Sequence, residues 1–189
     1  NLTPICAPKR EVIVTLCLTM DMNSFMYRFM KPIDRLLSKK KEGSMLAVGA
    51  LAPDFTVKTH HGKTVSLKDF LGKTVVLWFY PKAETPGCTA EACGFRDRAG
   101  AFDKKQAVLL GVSFDAEEEN KKFAEKYHFE FPLLCDTERE IGIAYGACKL
   151  KTDRSASRIA YVIDPQGKIQ KSYPNVDAAS FPETVLNEL

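Results

Sequence analysis

The chain has 189 residues, 45% of them hydrophobic and 27% charged, with 27 Lys/Arg against 24 Asp/Glu and six cysteines. That length allows one domain with a sizeable core plus an appendage. It argues against a secreted disulfide scaffold, which is shorter and denser in cysteine; the irregular placing of Cys6, Cys17, Cys88, Cys93, Cys135 and Cys148 points to free thiols in a reducing compartment, read here as the cytoplasm.

Charge is uneven along the chain. Residues 1–44 hold eight Lys/Arg and four Asp/Glu, leaving 19 basic and 20 acidic residues in the rest. The basic excess therefore belongs to the first segment, and a near-neutral domain is not the footprint of a nucleic-acid binder. The apolar run Val12–Leu18 is too short to span a bilayer. Phe25, Phe29, Ile33 and Leu36 recur at helical spacing ahead of a basic tail, so residues 24–41 have two readings. One is a helix lying on a membrane surface; the favoured one is a loosely ordered extension interrupted by Pro32. Met45, preceded by Gly43-Ser44, is read as the opening of the domain proper, with residues 1–44 as an extension, flexible or non-native.

From Ala50 the pattern is clearer. Residues 54–70 read as two short strands around a turn holding His60, His61 and Gly62, then a short helix from Ser66. Thr74–Tyr80 is a continuous apolar run rich in β-formers, a buried central strand. A helix is expected from Cys88 to about Lys105. Next come a buried strand over 107–114, a helix with an acidic start over Ala116–His128, a short strand over 131–136 and a helix over 137–146 stopped by Gly146. Residues 157–173 read as strand, Asp-Pro-Gln-Gly turn and return strand, and residues 181–189 as a closing helix with Pro182 in its first turn. Strands alternating with helices, then a hairpin and a last helix, give an α/β fold: a central mixed sheet flanked by helices, thioredoxin-like in layout. Trp78 and Phe79 are expected in its core.

Cys88 and Cys93 concentrate the chemistry. A zinc site lacks a second cysteine pair, and the three histidines lie far off in sequence. In a regular helix, five residues advance about 7.5 Å and leave the two Cα atoms roughly 8.5 Å apart. A disulfide spans about 7 Å at most, so a Cys88–Cys93 bond and an intact helix exclude each other. A permanent structural bond is therefore disfavoured, whereas one that forms and breaks is not. Cys88 itself falls near a helix N-terminus, where unpaired N–H groups and the helix dipole stabilise negative charge on sulfur. Pro81 and Pro86 restrict the preceding loop, Gly87 permits close approach, and Thr85 places a hydroxyl three residues before the thiol. A Cys–His protease arrangement lacks a nearby histidine.

The stretch "PKAETPGC" fits the Pro-x-x-x-Thr-x-x-Cys motif of peroxiredoxins, and the wider "FYPKAETPGCTAEACGFRD" resembles their peroxiredoxin Q, or bacterioferritin comigratory protein, branch. The likeness runs from about Val48 to Leu189 and includes "APDF", "GVSFD", "FPLLCD" and "R-x-x-Y-V-I-D". It implies a thiol peroxidase for hydrogen peroxide and small organic hydroperoxides, with no metal and no organic cofactor. It further implies that Cys88 attacks the peroxide, Thr85 orients it, Pro81 shields the pocket and Arg158 holds the thiolate. Cys93 is implied as the resolving cysteine that forms an intramolecular disulfide, reduced by thioredoxin or a similar dithiol protein. An intramolecular resolver needs no second subunit, so a monomer is expected.

Each assignment has a simpler rival. Thr85 suits a helix cap and Arg154 competes with Arg158; Glu91 has two readings, a group that tunes the site and, favoured, an acid satisfied by a first-turn dipole. Cys135 is expected as a packed thiol and Cys148 as a surface thiol or second disulfide partner. A redox sensor uses the same kind of cysteine, and a thiol–disulfide oxidoreductase shares the fold but needs a Cys-x-x-Cys pair that is absent.

Overall fold

A computed structural model describes residues 44–189. The expectations for residues 1–43, including the surface helix over 24–41 and the thiols of Cys6 and Cys17, lie outside the described residues.

Among the described residues, thirteen elements follow one another: β1 (Thr56–Lys58), β2 (Thr64–Ser66), a 3-10 turn (Leu67–Phe70), β3 (Thr74–Phe79), α1 (Pro86–Asp97), α2 (Ala99–Lys104), β4 (Ala107–Ser113), α3 (Glu117–Tyr127), β5 (Leu133–Cys135), α4 (Glu140–Tyr145), β6 (Ala160–Ile163), β7 (Ile169–Tyr173) and α5 (Phe181–Glu188). β1 and β2 form a separate antiparallel hairpin, and the other five strands make one sheet in the order β5-β4-β3-β6-β7. β3, β4 and β5 are parallel to one another, β6 runs antiparallel to β3, and β7 runs antiparallel to β6. The mixed sheet flanked by helices is the thioredoxin-like layout expected.

Alternation along β3 divides the core. Val75, Leu77 and Phe79 face one side with Phe55, Ile141, Tyr145 and Tyr161. Val76, Trp78 and Tyr80 face the other with Cys88, Ala92, Phe95, Phe102, Phe123 and Phe181. A strand buried on both faces is a continuous apolar run, which is why Thr74–Tyr80 carries no polar alternation. Trp78 needs room that only glycine gives: it pairs with Gly111 on β4, and a Cβ there would stand 2.7 Å from its ring and 2.8 Å from Leu133. Gly111→Ala is expected to cost about 1–3 kcal/mol by overpacking; the urea midpoint of purified protein measures it, and an unchanged midpoint would mean the ring has space to move.

Three boundaries differ from expectation. The helix expected over Cys88–Lys105 is two helices broken at Arg98 (φ −113°, ψ 5°), a break that lets Phe102 on α2 pack against Phe95 on α1. α1 starts at Pro86, not Cys88, because a proline without an N–H fits a helix's first position. α4 starts at Glu140 behind Arg139, which sits in the left-handed region at φ 60°. His60 and His61 do lie in the turn of the first hairpin, yet His60 is fully buried. Its Nδ1 accepts a hydrogen bond from the Leu133 N–H at 3.0 Å, tying the hairpin to β5. No helix among the described residues is long and apolar enough to cross a membrane.

Candidate active site

β3 delivers the chain to a loop, residues 81–85, that is clamped from outside. Asp115, just past β4 and buried, accepts from Lys82 Nζ at 2.6 Å and from the Ala83 N–H at 2.8 Å. Glu84, held at φ 61°, pairs with Lys126 on α3 at 3.2 Å. Under the loop, the Tyr80 hydroxyl donates to Asn120 Oδ1 at 2.7 Å, and Asn120 Nδ2 donates to Ser113 Oγ and Cys135 Sγ. Burial pushes the Cys135 thiol up, in keeping with its reading as a packed thiol. The loop is thus fixed by charge and hydrogen bonds before the helix begins. Asp115 is the acid of the "GVSFD" stretch, so the signal for it lay in the sequence while its task did not.

Thr85 is the N-cap residue of α1, but its hydroxyl does not cap. It donates to the Lys82 carbonyl at 2.9 Å, back into the loop. Pro81 is half-buried at the start of the loop, next to the fully buried Tyr80.

Cys88 is the third residue of α1 and fully buried. Its Sγ accepts a hydrogen bond from Arg158 Nη2 at 3.2 Å. Arg158 arrives from across the sheet: the Phe79 N–H donates to the Ile159 carbonyl at 2.8 Å, which sets the chain before β6 beside the end of β3. Gly87 makes the close approach feasible, since a Cβ there would stand 3.2 Å from Arg158 Nη2. Arg154, the competitor, is exposed.

The other arm of Arg158 corrects the reading of Glu91. Because α1 begins at Pro86, Glu91 lies in the second turn, where the helix dipole no longer accounts for it. It is fully buried and pairs through Oε2 with Arg158 Nη1. Burial pushes its carboxyl up to about 7, against the pull of the guanidinium. Among the described residues its other oxygen, Oε1, has no hydrogen-bond partner. A pairing 67 residues apart leaves no mark in local sequence.

Cys93 sits on the same helix, half-buried at the edge of the core. Both thiols are free and α1 is unbroken between them. Cys148 is not at the surface as expected: it is 5% exposed, it packs where a Cβ on Gly142 would come within 2.9 Å of its sulfur, and burial pushes its thiol up to about 11. Among the described residues no three His, Cys, Asp or Glu side chains gather as metal ligands.

A buried cysteine at a helix N-terminus, held by an arginine just ahead of strand β6 of a thioredoxin-like sheet, fits a thioredoxin-fold thiol peroxidase. The pattern of the AhpC/TSA family matches residues 48–172. The chain belongs to that family, and its relatives put it in the Bcp/peroxiredoxin Q branch of the peroxiredoxins. Peroxiredoxin Bcp of Bacillus subtilis is 42% identical over 136 residues, covering 69% of this chain and 87% of its own. Among solved structures, peroxidoxin BcpB of Mycobacterium tuberculosis aligns with a TM-score of 0.70 at 32% identity, over 76% of this chain and 96% of its own. The bacterioferritin comigratory protein of Xanthomonas campestris, studied for its alkyl peroxide reduction activity, aligns at 0.69 and 27% identity, over 75% and 96%. The chain is a thiol-dependent peroxidase that uses peroxide and a thiol reductant.

Proposed function

We propose that the cycle runs through Cys88 and Cys93 and is closed by thioredoxin or a similar dithiol protein. The Cys88 thiolate attacks one peroxide oxygen, the O–O bond breaks, and sulfur becomes the sulfenic acid. The other oxygen leaves with the bond's electron pair, takes a proton, and departs as water or alcohol. The Cys93 thiol then attacks the Cys88 sulfenic sulfur; an S–S bond forms and water leaves. The dithiol reductant returns both cysteines to thiols and is itself oxidised to its disulfide. Substrates are hydrogen peroxide and small organic hydroperoxides.

The observation that carries this reading is the Arg158 Nη2 contact with Cys88 Sγ at 3.2 Å. A fixed cation there favours the thiolate and meets the oxygen charge that develops as the O–O bond parts. In the same reading Thr85 turns its hydroxyl from the Lys82 carbonyl to the bound peroxide, and Pro81 keeps water from the sulfur. Residues 45–189 make the working domain. It acts as a monomer, because Cys88 and its resolver share one helix, and its free thiols suit the reducing cytoplasm.

The test is peroxide-dependent NADPH oxidation with thioredoxin and thioredoxin reductase. Wild type is expected to turn over. Cys93→Ser is expected to oxidise once at Cys88, trap a sulfenic acid with dimedone, and lose at least tenfold in turnover. Unchanged turnover in that variant removes Cys93 as resolver. A wild type that oxidises once and is recycled by no dithiol protein belongs to the sensor reading instead.

A further inference from the structure

Between the two cysteines α1 carries one carboxyl group that the sulfur chemistry does not use. Glu91 lies three residues after Cys88 and two before Cys93. It is fully buried, tied to Arg158 through one oxygen, and without a partner among the described residues on the other. A charged carboxylate with an unsatisfied oxygen is costly to hold out of water, and the cost falls when the group is protonated. Yet this is the stretch that must give way. To bring two Cα atoms from roughly 8.5 Å to disulfide range, the backbone between them has to leave helical geometry, and Glu91 cannot keep its place.

We infer that Glu91 is a proton-linked latch on α1: docked on Arg158 it holds the helix closed around Cys88, and it ionises into water when the helix unwinds for Cys93. The inference rests on the reading of Cys93 as resolver. When the latch opens, the Glu91 carboxyl gives one proton to solvent. Separately, the Cys88 sulfenic acid and the Cys93 thiol become disulfide and water. The charged groups facing Glu91 are few. Arg158, ahead of β6, favours its ionised form, and Asp177, in the turn before α5, favours its protonated form. Cys88, one turn back on its own helix, shares the same guanidinium.

The direction with pH follows. Docked, Glu91 titrates at about 7; released, it returns to the ordinary 4.5. A carboxyl raised in the closed state stabilises that state at low pH, and this stabilisation is lost as pH climbs toward 7. Between pH 5.5 and 7.5 the opening constant of α1 is expected to rise about twentyfold, then to level off. Disulfide formation is thereby slowed in acid by the helix. Glu91 is a positioning residue, not one that touches peroxide.

Two measurements test it. In a Cys88→Ser background, which removes the thiol that shares Arg158 with Glu91, α1 amide protection corrected for intrinsic exchange is expected to fall about twentyfold from pH 5.5 to 7.5. Adding Glu91→Gln is expected to make it flat; the same fall with glutamine overturns the latch. The second measurement leaves Glu91 in place, so it stands even if that variant fails to fold. Carbon-13 NMR of the Glu91 carboxyl follows its titration in the reduced and oxidised protein. A midpoint near 7 when reduced and near 4.5 when oxidised is expected. If peptide mapping finds the Cys88–Cys93 bond and the midpoints coincide, the latch alone is wrong. If that bond is absent from oxidised protein, the resolver reading falls and takes the latch with it.

Discussion

Cys88→Ser is expected to lower peroxide reduction by more than a thousandfold while leaving the fold intact. A serine hydroxyl is a far weaker nucleophile than a thiolate, and removing the nucleophile of a covalent mechanism removes the reaction path itself. None of the other described thiols can take over. Cys135 and Cys148 are buried, and burial pushes both thiols up, away from the reactive form. Cys93 lies five positions further along α1 than the cysteine that Arg158 contacts. Serine keeps the size of the buried side chain and can still accept from Arg158, so the far-UV circular dichroism and thermal midpoint are expected to stay close to wild type. Peroxide consumption by the well-folded variant at a tenth of the wild-type rate would show that another thiol starts the reaction.

The second large effect belongs to Arg158. Arg158→Met keeps most of the side chain's bulk but removes the cation that joins Cys88 to Glu91. Losing a fixed charge at the reacting atoms costs roughly a hundred- to a thousandfold in rate, which sets the expected fall in the second-order rate of Cys88 oxidation. Glu91 then loses the group that favours its ionised form and stays protonated, which limits the damage to stability. Arg158→Lys is expected to recover only part of the rate, because one ammonium cannot match a planar fork with one arm on sulfur and the other on a carboxylate. Stopped-flow measurement of Cys88 oxidation decides the matter; a Met variant within threefold of wild type would remove Arg158 from the chemistry.

These expectations draw unequally on the sequence. The strands were readable because burial on both faces leaves an unbroken apolar run, as in Thr74–Tyr80, and Gly146 ends α4 in the left-handed conformation that glycine adopts freely. The helix break at Arg98 was not readable. Nothing in "GFRDRAGAF" forbids a continuous helix; the break follows from packing Phe102 on Phe95, and Arg98 then reaches Glu183 on α5 at 3.2 Å. In the site, Cys88, Thr85, Pro81 and Cys93 share one short segment whose motif is local, and Gly87 announced a close approach without saying by what. Arg158 is implied by the family resemblance, and its position before a strand only favours it over Arg154. Glu91, Asp115 and His60 were missed or misread because their partners lie 67, 32 and 73 residues away, brought near only when the sheet forms. A motif records the group that reacts; the groups that hold it still are recorded in the fold.

The most direct measurement is a peptide map of the protein after one equivalent of hydrogen peroxide without reductant. One intramolecular cross-link is expected, Cys88 to Cys93, in a chain of unchanged oligomeric state, with amide exchange across α1 faster than in the reduced protein. Cys88 joined instead to another cysteine or to a second chain, or a Cys88–Cys93 bond with α1 as protected as before, would contradict it.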